Sequence, residues 1–310
     1  INLDNTSGLG SVTVLKGQFD INQGNGLVIG TKGAVVLNQV GASANTSMGV
    51  DINNDGTLVR NVLLLSTFGE NMFNRNGDTG LKIVTHGSVT LNNVTAVMNM
   101  LAGVPELELD EHYLHGGVLI DNTSGTAGVR IVGANISYNS GNFTIGLNVD
   151  TNGAVYLRSL TASNNHWGAD INNLGSLDNR KGISIIQSTF NNNANAGIIA
   201  TTFGNIIVNN INAIGNQGPR AVGLQNVVGS IVGVSLLSTL GENLILNNAG
   251  TGLEITTAGN VILSKLNASN NGAIGVNLPN QIQGVGNVRV TDSTFDNNGD
   301  TGLIIQTEGA

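Results

Sequence analysis

Gly80-Leu81-Lys82-Ile83-Val84-Thr85-His86-Gly87-Ser88-Val89-Thr90-Leu91-Asn92-Asn93-Val94-Thr95-Ala96-Val97-Met98-Asn99 is one complete copy of a template that recurs along the whole chain. It opens on a glycine and continues with an apolar-x-apolar triplet, Leu81-Lys82-Ile83. After a turn at Gly87 comes a second alternating pair, Val89 and Leu91, and the copy closes on a small apolar residue with asparagine three places later, Ala96/Asn99. Alternation of this kind turns one face of a short strand inward. Opening glycines stand at Gly26, Gly49, Gly80, Gly117, Gly146, Gly168, Gly197, Gly223, Gly252, Gly275 and Gly302, so the template returns every 22 to 37 residues. A period in that range, kept from end to end, specifies a solenoid rather than a globular domain.

The closing pair recurs as Phe19/Asn22, Ala42/Asn45, Phe68/Asn71, Ala96/Asn99, Ala162/Asn165, Phe190/Asn193, Ala213/Asn216, Leu240/Asn243, Ala268/Asn271 and Phe295/Asn298, with Tyr138/Gly141 lacking the asparagine. Large and small residues alternate down this column, so the repeating unit is a pair of coils. Short coils span 19 positions from opening glycine to column asparagine, while long coils span 20 to 25 and carry the loops. Strands this short cannot pair as local hairpins and stay in phase. Stacking pairs each strand in parallel with its equivalent one coil later. The expectation is an all-β, right-handed parallel β-helix with three strands per coil, about eleven coils plus a partial one, and neighbouring coils roughly 4.8 Å apart. Residues 1–310 form one continuous solenoid in this reading, with an insertion loop at 100–116. In-register stacking sets asparagine over asparagine, where amides hydrogen-bond as in cross-β ladders, and large over small in the core.

Composition agrees with such a chain. Among 310 residues there are 44 Gly and 48 Asn, with only 10% charged and 4% aromatic. The 40% hydrophobic content sits in short β-branched runs, enough to fill a narrow continuous core, so polar richness is not disorder. A net charge of −8 argues against nucleic acid and anionic membrane surfaces, both of which need a basic face. No apolar run approaches the roughly 18 residues of a membrane span. The absence of cysteine excludes a disulfide framework and suits an exported prokaryotic protein.

Segments such as Ser188-Thr189-Phe190-Asn191-Asn192-Asn193 and Asp292-Ser293-Thr294-Phe295-Asp296-Asn297-Asn298-Gly299-Asp300-Thr301-Gly302 resemble the generic repeat of right-handed parallel β-helices of the pectin-lyase-like superfamily. The resemblance covers nearly the whole chain and implies fold. Its members include lyases, hydrolases, phage tailspikes and purely structural or adhesive surface proteins, so activity must be read from the residues.

Polysaccharide cleavage on such a scaffold needs clustered acids, or carboxylates holding Ca²⁺ beside an Arg or Lys. The outward strand positions read Asn2, Val28, Asp51, Lys82, Leu119, Asn148, Asp170, Ile199, Gln225, Glu254, Asn277 and Ile304, in which acids are dispersed. Asp51 and Lys82 fall on adjacent coils, and a surface ion pair is the ordinary reading of them. The densest acidic patch lies in the insertion, where period-2 alternation puts Glu106, Glu108, Asp110 and His112 on one side. Two readings stand for it: a divalent-cation (Ca²⁺) or docking site, with His115 and Glu111 nearby, and a solvated loop guarding the side of the solenoid. Trp167 either stacks on sugar or packs against a turn, and His86 reads as a surface residue in the turn before Gly87. Seven Asn-x-Ser/Thr sequons (Asn5, Asn45, Asn93, Asn122, Asn135, Asn142, Asn267) are within what chance supplies in so Asn-rich a chain.

No catalytic, metal or cofactor-binding residue is therefore assigned, and no cofactor is expected. Neither end carries a polar capping repeat, so the expectation is a slice of a longer β-helix or a unit that stacks on itself. The functional expectation is a non-enzymatic structural protein of the prokaryotic cell surface or exterior. It would build a filament, stalk or sheath, or the shaft of a large adhesin, with copies of itself, end to end or side by side, and surface glycans as the expected partners. The alternative is a carbohydrate-binding or polysaccharide-degrading β-helix.

Overall fold

A computed structural model describes residues 1–56, 58–100, 115–139, 141, 144–174, 181–227, 232–279 and 286–306. The chain is all-β, its parallel sheets stacked as a β-solenoid of about ten turns. No helix among the described residues is long and apolar enough to cross a membrane. Two compact units are present: Ile1–Gly153 with Leu160–His166, and Ala154–Ser159 with Trp167–Ala310.

In the first unit one sheet is built from Asn2–Asn5, Leu27–Thr31, Val50–Asn54, Leu81–Thr85, Gly116–Asn122 and Ile145–Thr151, each paired in parallel with the next. Its register superimposes Leu27, Val50, Leu81, Val118 and Leu147, and beside them Ile29, Ile52, Ile83, Ile120 and Val149, all buried. A second sheet does the same with Val12–Leu15, Val35–Asn38, Val62–Leu65, Val89–Asn92 and Val129–Val132. β-Branched and leucine side chains stacked on their own kind close this narrow core, at about 25 cal/mol per Å² of apolar surface removed from water.

The second unit repeats the scheme. Trp167–Asn173, Ile198–Thr202, Arg220–Asn226, Thr251–Thr256, Val276–Leu278 and Leu303–Ile305 form one sheet, and Val155–Arg158, Ile183–Thr189, Ile206–Ile214, Val234–Leu237, Val261–Ser264 and Val288–Thr291 the other. Here Ile199 lies beside Gly223 and Gly223 beside Glu254, so Gly223, not Gln225, holds the outward position. The opening-glycine place of that coil belongs to Ala221, whose carbonyl accepts from Gly197 N–H at 2.8 Å. Arg220 folds across the room left by Gly223 and reaches Glu254 at 2.6 Å.

The third strand of each coil is the least regular. It is reduced mostly to single bridges such as Gln18↔Gly41, Gly41↔Met72 and Asn135↔Thr161, and to short strands such as Asn71–Met72 and Val94–Thr95. A residue at positive φ precedes it in most coils, for example Lys16 (53°), Gln39 (57°), Asn93 (45°), Ser159 (52°) and Lys265 (44°), and this kink interrupts strand geometry.

The corner between the two main sheets alternates with a two-coil period. In the short coils a Thr-x-Gly turn closes on itself, Thr31 Oγ1 accepting from Gly33 N–H at 3.0 Å, and Thr85 and Thr151 doing the same for Gly87 and Gly153. In the long coils asparagine takes the threonine's place and closes a longer loop: Asn54 Nδ2 donates to Arg60 O at 2.9 Å, and Asn122 Nδ2 to Ala127 O at 2.6 Å. Gly87 is obligatory, because a Cβ there would sit 1.9 Å from Arg60 O.

Candidate functional site

The turn that ends the third face carries the most extended polar constellation. In the first unit the stacked asparagines are Asn22, Asn45, Asn76, Asn99, Asn139 and Asn165, joined amide to amide, Nδ2–H to Oδ1, at 2.8, 3.0, 3.0, 3.1 and 3.1 Å. In the second they are Asn193, Asn216, Asn248, Asn271 and Asn298, at 2.9, 3.0, 2.9 and 3.1 Å. Each Oδ1 also accepts the backbone N–H of the asparagine below, as Asn76 Oδ1 does from Asn45 at 3.1 Å. The spare Nδ2 hydrogens of Asn76, Asn139, Asn216, Asn248 and Asn271 reach back to a carbonyl, as Asn139 does to Ala96 O at 3.1 Å. Opening glycines leave room for these amides: a Cβ on Gly80 would lie 2.6 Å from Asn99 Nδ2.

Three members of the sequence column stand elsewhere. Phe68, Tyr138 and Leu240 are 53%, 54% and 46% exposed, and the interior positions belong to Phe73, Ile136 and Ile245. The interior stack thus reads Phe19, Ala42, Phe73, Ala96, Ile136 and Ala162 in one unit, and Phe190, Ala213, Ile245, Ala268 and Phe295 in the other, with the large-small alternation kept. Asn71 and Asn243 leave the ladder with Phe68 and Leu240, and Asn139 fills the place where Gly141 seemed to break it. The cause is one insertion made twice, Leu64-Leu65-Ser66-Thr67-Phe68-Gly69-Glu70-Asn71 and Leu236-Leu237-Ser238-Thr239-Leu240-Gly241-Glu242-Asn243. Its asparagine is a local clamp: Asn71 accepts from Val40 N–H at 3.0 Å and donates to Leu65 O at 2.7 Å, and Asn243 does so with Ile211 and Leu237 at 3.2 and 2.7 Å.

Among the described residues, four charged or titratable groups gather on the outer side of the first unit. Asp51 and Lys82 are register partners on adjacent strands. His115 Nδ1 lies 2.6 Å from Asp78 Oδ1, which also accepts from Thr79 N–H at 2.6 Å. Burial raises the Asp51 carboxyl above its ordinary range against the pull of Lys82, and the Asp78 charge adds to the rise. Burial opposes ionised Asp78 as well, yet the His115 hydrogen bond and charge hold it below the usual range. The same bond raises His115 above the usual imidazole value. A carboxyl biased toward its protonated form beside a lysine and an imidazolium–carboxylate pair could transfer a proton or grip an anionic group. Among the described residues no three His, Cys, Asp or Glu side chains are placed to hold a metal ion. The insertion candidates Glu106, Glu108, Asp110 and His112 lie outside the described residues. Of the sequons, Asn45 and Asn122 are buried with their Nδ2 groups donating to other residues, whereas Asn93 and Asn135 are exposed.

The Asp78–His115 pair makes stability depend on pH in a stated direction. Asp78, depressed, contributes above 3.8 and loses the contribution as pH falls through its lowered value. His115, raised, contributes in full below 6.5 and loses it as pH rises through its raised value. The thermal midpoint of the native chain should therefore exceed that of His115→Gln most between pH 3.8 and 6.5, converging on either side. Asp51 titrates in both proteins and largely cancels. A difference that stays flat from acid to alkaline pH would show that the pair does not form.

Comparison with protein-family models, with curated proteins and with solved structures finds no match.

Proposed function

We propose that this chain is a non-enzymatic structural β-helix, exported to the prokaryotic cell surface or exterior, where it builds a filament, stalk or sheath, or the shaft of an adhesin, by association with copies of itself. The proposal includes its finer kinship, with the right-handed, non-catalytic members of the pectin-lyase-like superfamily, on the repeat segments around Phe190 and Phe295. The observation that carries it is the asparagine ladder, continuous through each unit, with every inner amide hydrogen-bonded to the coils on both sides. A chain whose buried polar side chains bind its coils to each other is built for cohesion. Negative-stain microscopy of native material should show polymers, and incubation with pectin or related polyuronates should release no reducing sugar.

One observation favours a second reading, action on or binding of polysaccharide: the gathering of Asp51, Asp78, Lys82 and His115 on one outer face. Sugar release by the native chain, lost in Asp51→Asn, would establish that reading and end the first.

A further inference from the structure

The residue just before each ladder asparagine is held at positive φ, and its identity differs between the units. In the second unit it is Asn192, Gly215, Asn247, Asn270 or Asn297, the residue types that enter the left-handed region most readily. In the first unit the same place holds Ile21, Ala44, Arg75, Met98, Tyr138 and Asn164. Their side chains are turned outward, with Ile21 82% and Met98 38% exposed. The second unit makes the same turn with asparagine or glycine, so the fold does not ask for isoleucine, methionine or tyrosine there. Apolar side chains placed against both backbone preference and solvent answer to something outside the coil.

Arg75, Met98 and Tyr138 stand in three successive coils at φ 57°, 58° and 59°. The Asn76–Asn99 and Asn99–Asn139 bonds, 3.0 and 3.1 Å, fix those coils in phase, so neighbours in the stripe are about 5 Å apart. Arginine, methionine and tyrosine are enriched in interface centres. Equal spacing gives the stripe a self-complementary axis. About a two-fold through Met98, a second copy sets Tyr138 opposite Arg75 and Arg75 opposite Tyr138, with methionine on methionine between. Guanidinium over an aromatic face is attractive and thioether side chains adapt to each other. Ala44 then faces the short Asn164, so neither flanking position adds bulk. A parallel, in-register pairing would set Arg75 against Arg75. We infer that Arg75, Met98 and Tyr138 form a lateral docking surface for a second copy of this chain, antiparallel and two-fold about Met98. The inference rests on the structural reading above and gives its side-by-side contact a place.

The chain has no cysteine, so Met98→Cys puts a single thiol on the axis. Mild oxidation should yield a covalent dimer, while Asn270→Cys, at the equivalent turn of the second unit, should give no covalent dimer. In sedimentation experiments Arg75→Tyr or Tyr138→Arg alone should weaken association at least ~10-fold, and the double exchange, which restores both facing pairs, should recover it to within about threefold. The contact is overturned if the native chain does not associate, if Met98→Cys couples no faster than Asn270→Cys, or if the double exchange is as weak as the single ones. Should a pair variant fail to fold, the cysteine arm decides alone. Polymers without the Met98 cross-link would sink this contact and leave the structural reading standing. Sugar turnover by a chain that does cross-link would do the reverse.

Discussion

Phe73→Ala is expected to destabilise the first unit by about 3–5 kcal/mol, the cost of emptying a fully buried aromatic site, whereas Phe68→Ala, five residues earlier, should change stability by about 1 kcal/mol or less. Phe73 is sealed between coils whose equivalent residues, Ala42 and Ala96, are too small to collapse into the space it would leave. Phe68 is half-exposed, and the Lys16 ammonium stands 4.9 Å from the centroid of its ring, a contact worth on the order of 0.5–1 kcal/mol at such a site. Denaturant unfolding of the two variants beside the native chain separates them, with amide exchange in the strands around residues 62–65 and 89–92 reporting local loss if the solenoid does not unfold as one. Equal destabilisation by the two substitutions would mean that the register is wrong.

That pair of phenylalanines also shows what could be read from the chain alone. Solenoid architecture was legible because its signals are periodic and redundant: alternating strands, opening glycines and a recurring asparagine all give the same count in every short coil. Register in the long coils was not, because Phe68-x-x-Asn71 and Phe73-x-x-Asn76 satisfy the same pattern five residues apart, and a local rule cannot choose between them. The missing signal was the repeated Leu-Leu-Ser-Thr-x-Gly-Glu-Asn at 64–71 and 236–243, which marks an insertion as soon as the two are aligned. Tyr138 misled for another reason, since it sits one place before Asn139 in a turn that any large residue would normally avoid. The Asp78–His115 contact joins residues 37 apart through coil stacking, and only correct register brings them together.

Removing one rung of the ladder should be nearly as damaging as emptying the core, by a different mechanism. In Asn76→Ala the backbone N–H and the side-chain amide of Asn45 lose their acceptor at 3.1 and 3.0 Å, and Ala42 O loses its donor at 3.0 Å. Asn99 Oδ1 keeps only the backbone donor of residue 76. These three groups are buried, and each orphan costs about 1–3 kcal/mol, so a loss of at least about 3 kcal/mol is expected. Asn76→Asp sharpens the test. Its carboxylate still accepts from Asn45, but its second oxygen faces Ala42 O and Asn99 Oδ1 where a donor is required, and burial opposes the charge. A carboxyl so placed has a raised folded pKa, so its destabilising effect grows as pH rises above the ordinary aspartate value and eases in acid, where the O–H can donate. Thermal unfolding of Asn76→Asp at pH 4 and 7 should therefore show the variant recovering part of the native stability at the lower pH, with no such recovery for Asn76→Ala. Amide exchange at Asn45 should quicken in both variants while Asn193, in the other unit's ladder, stays protected. Native-like protection at Asn45 in Asn76→Ala would show that the amides merely lie above one another and do not hold the coils together.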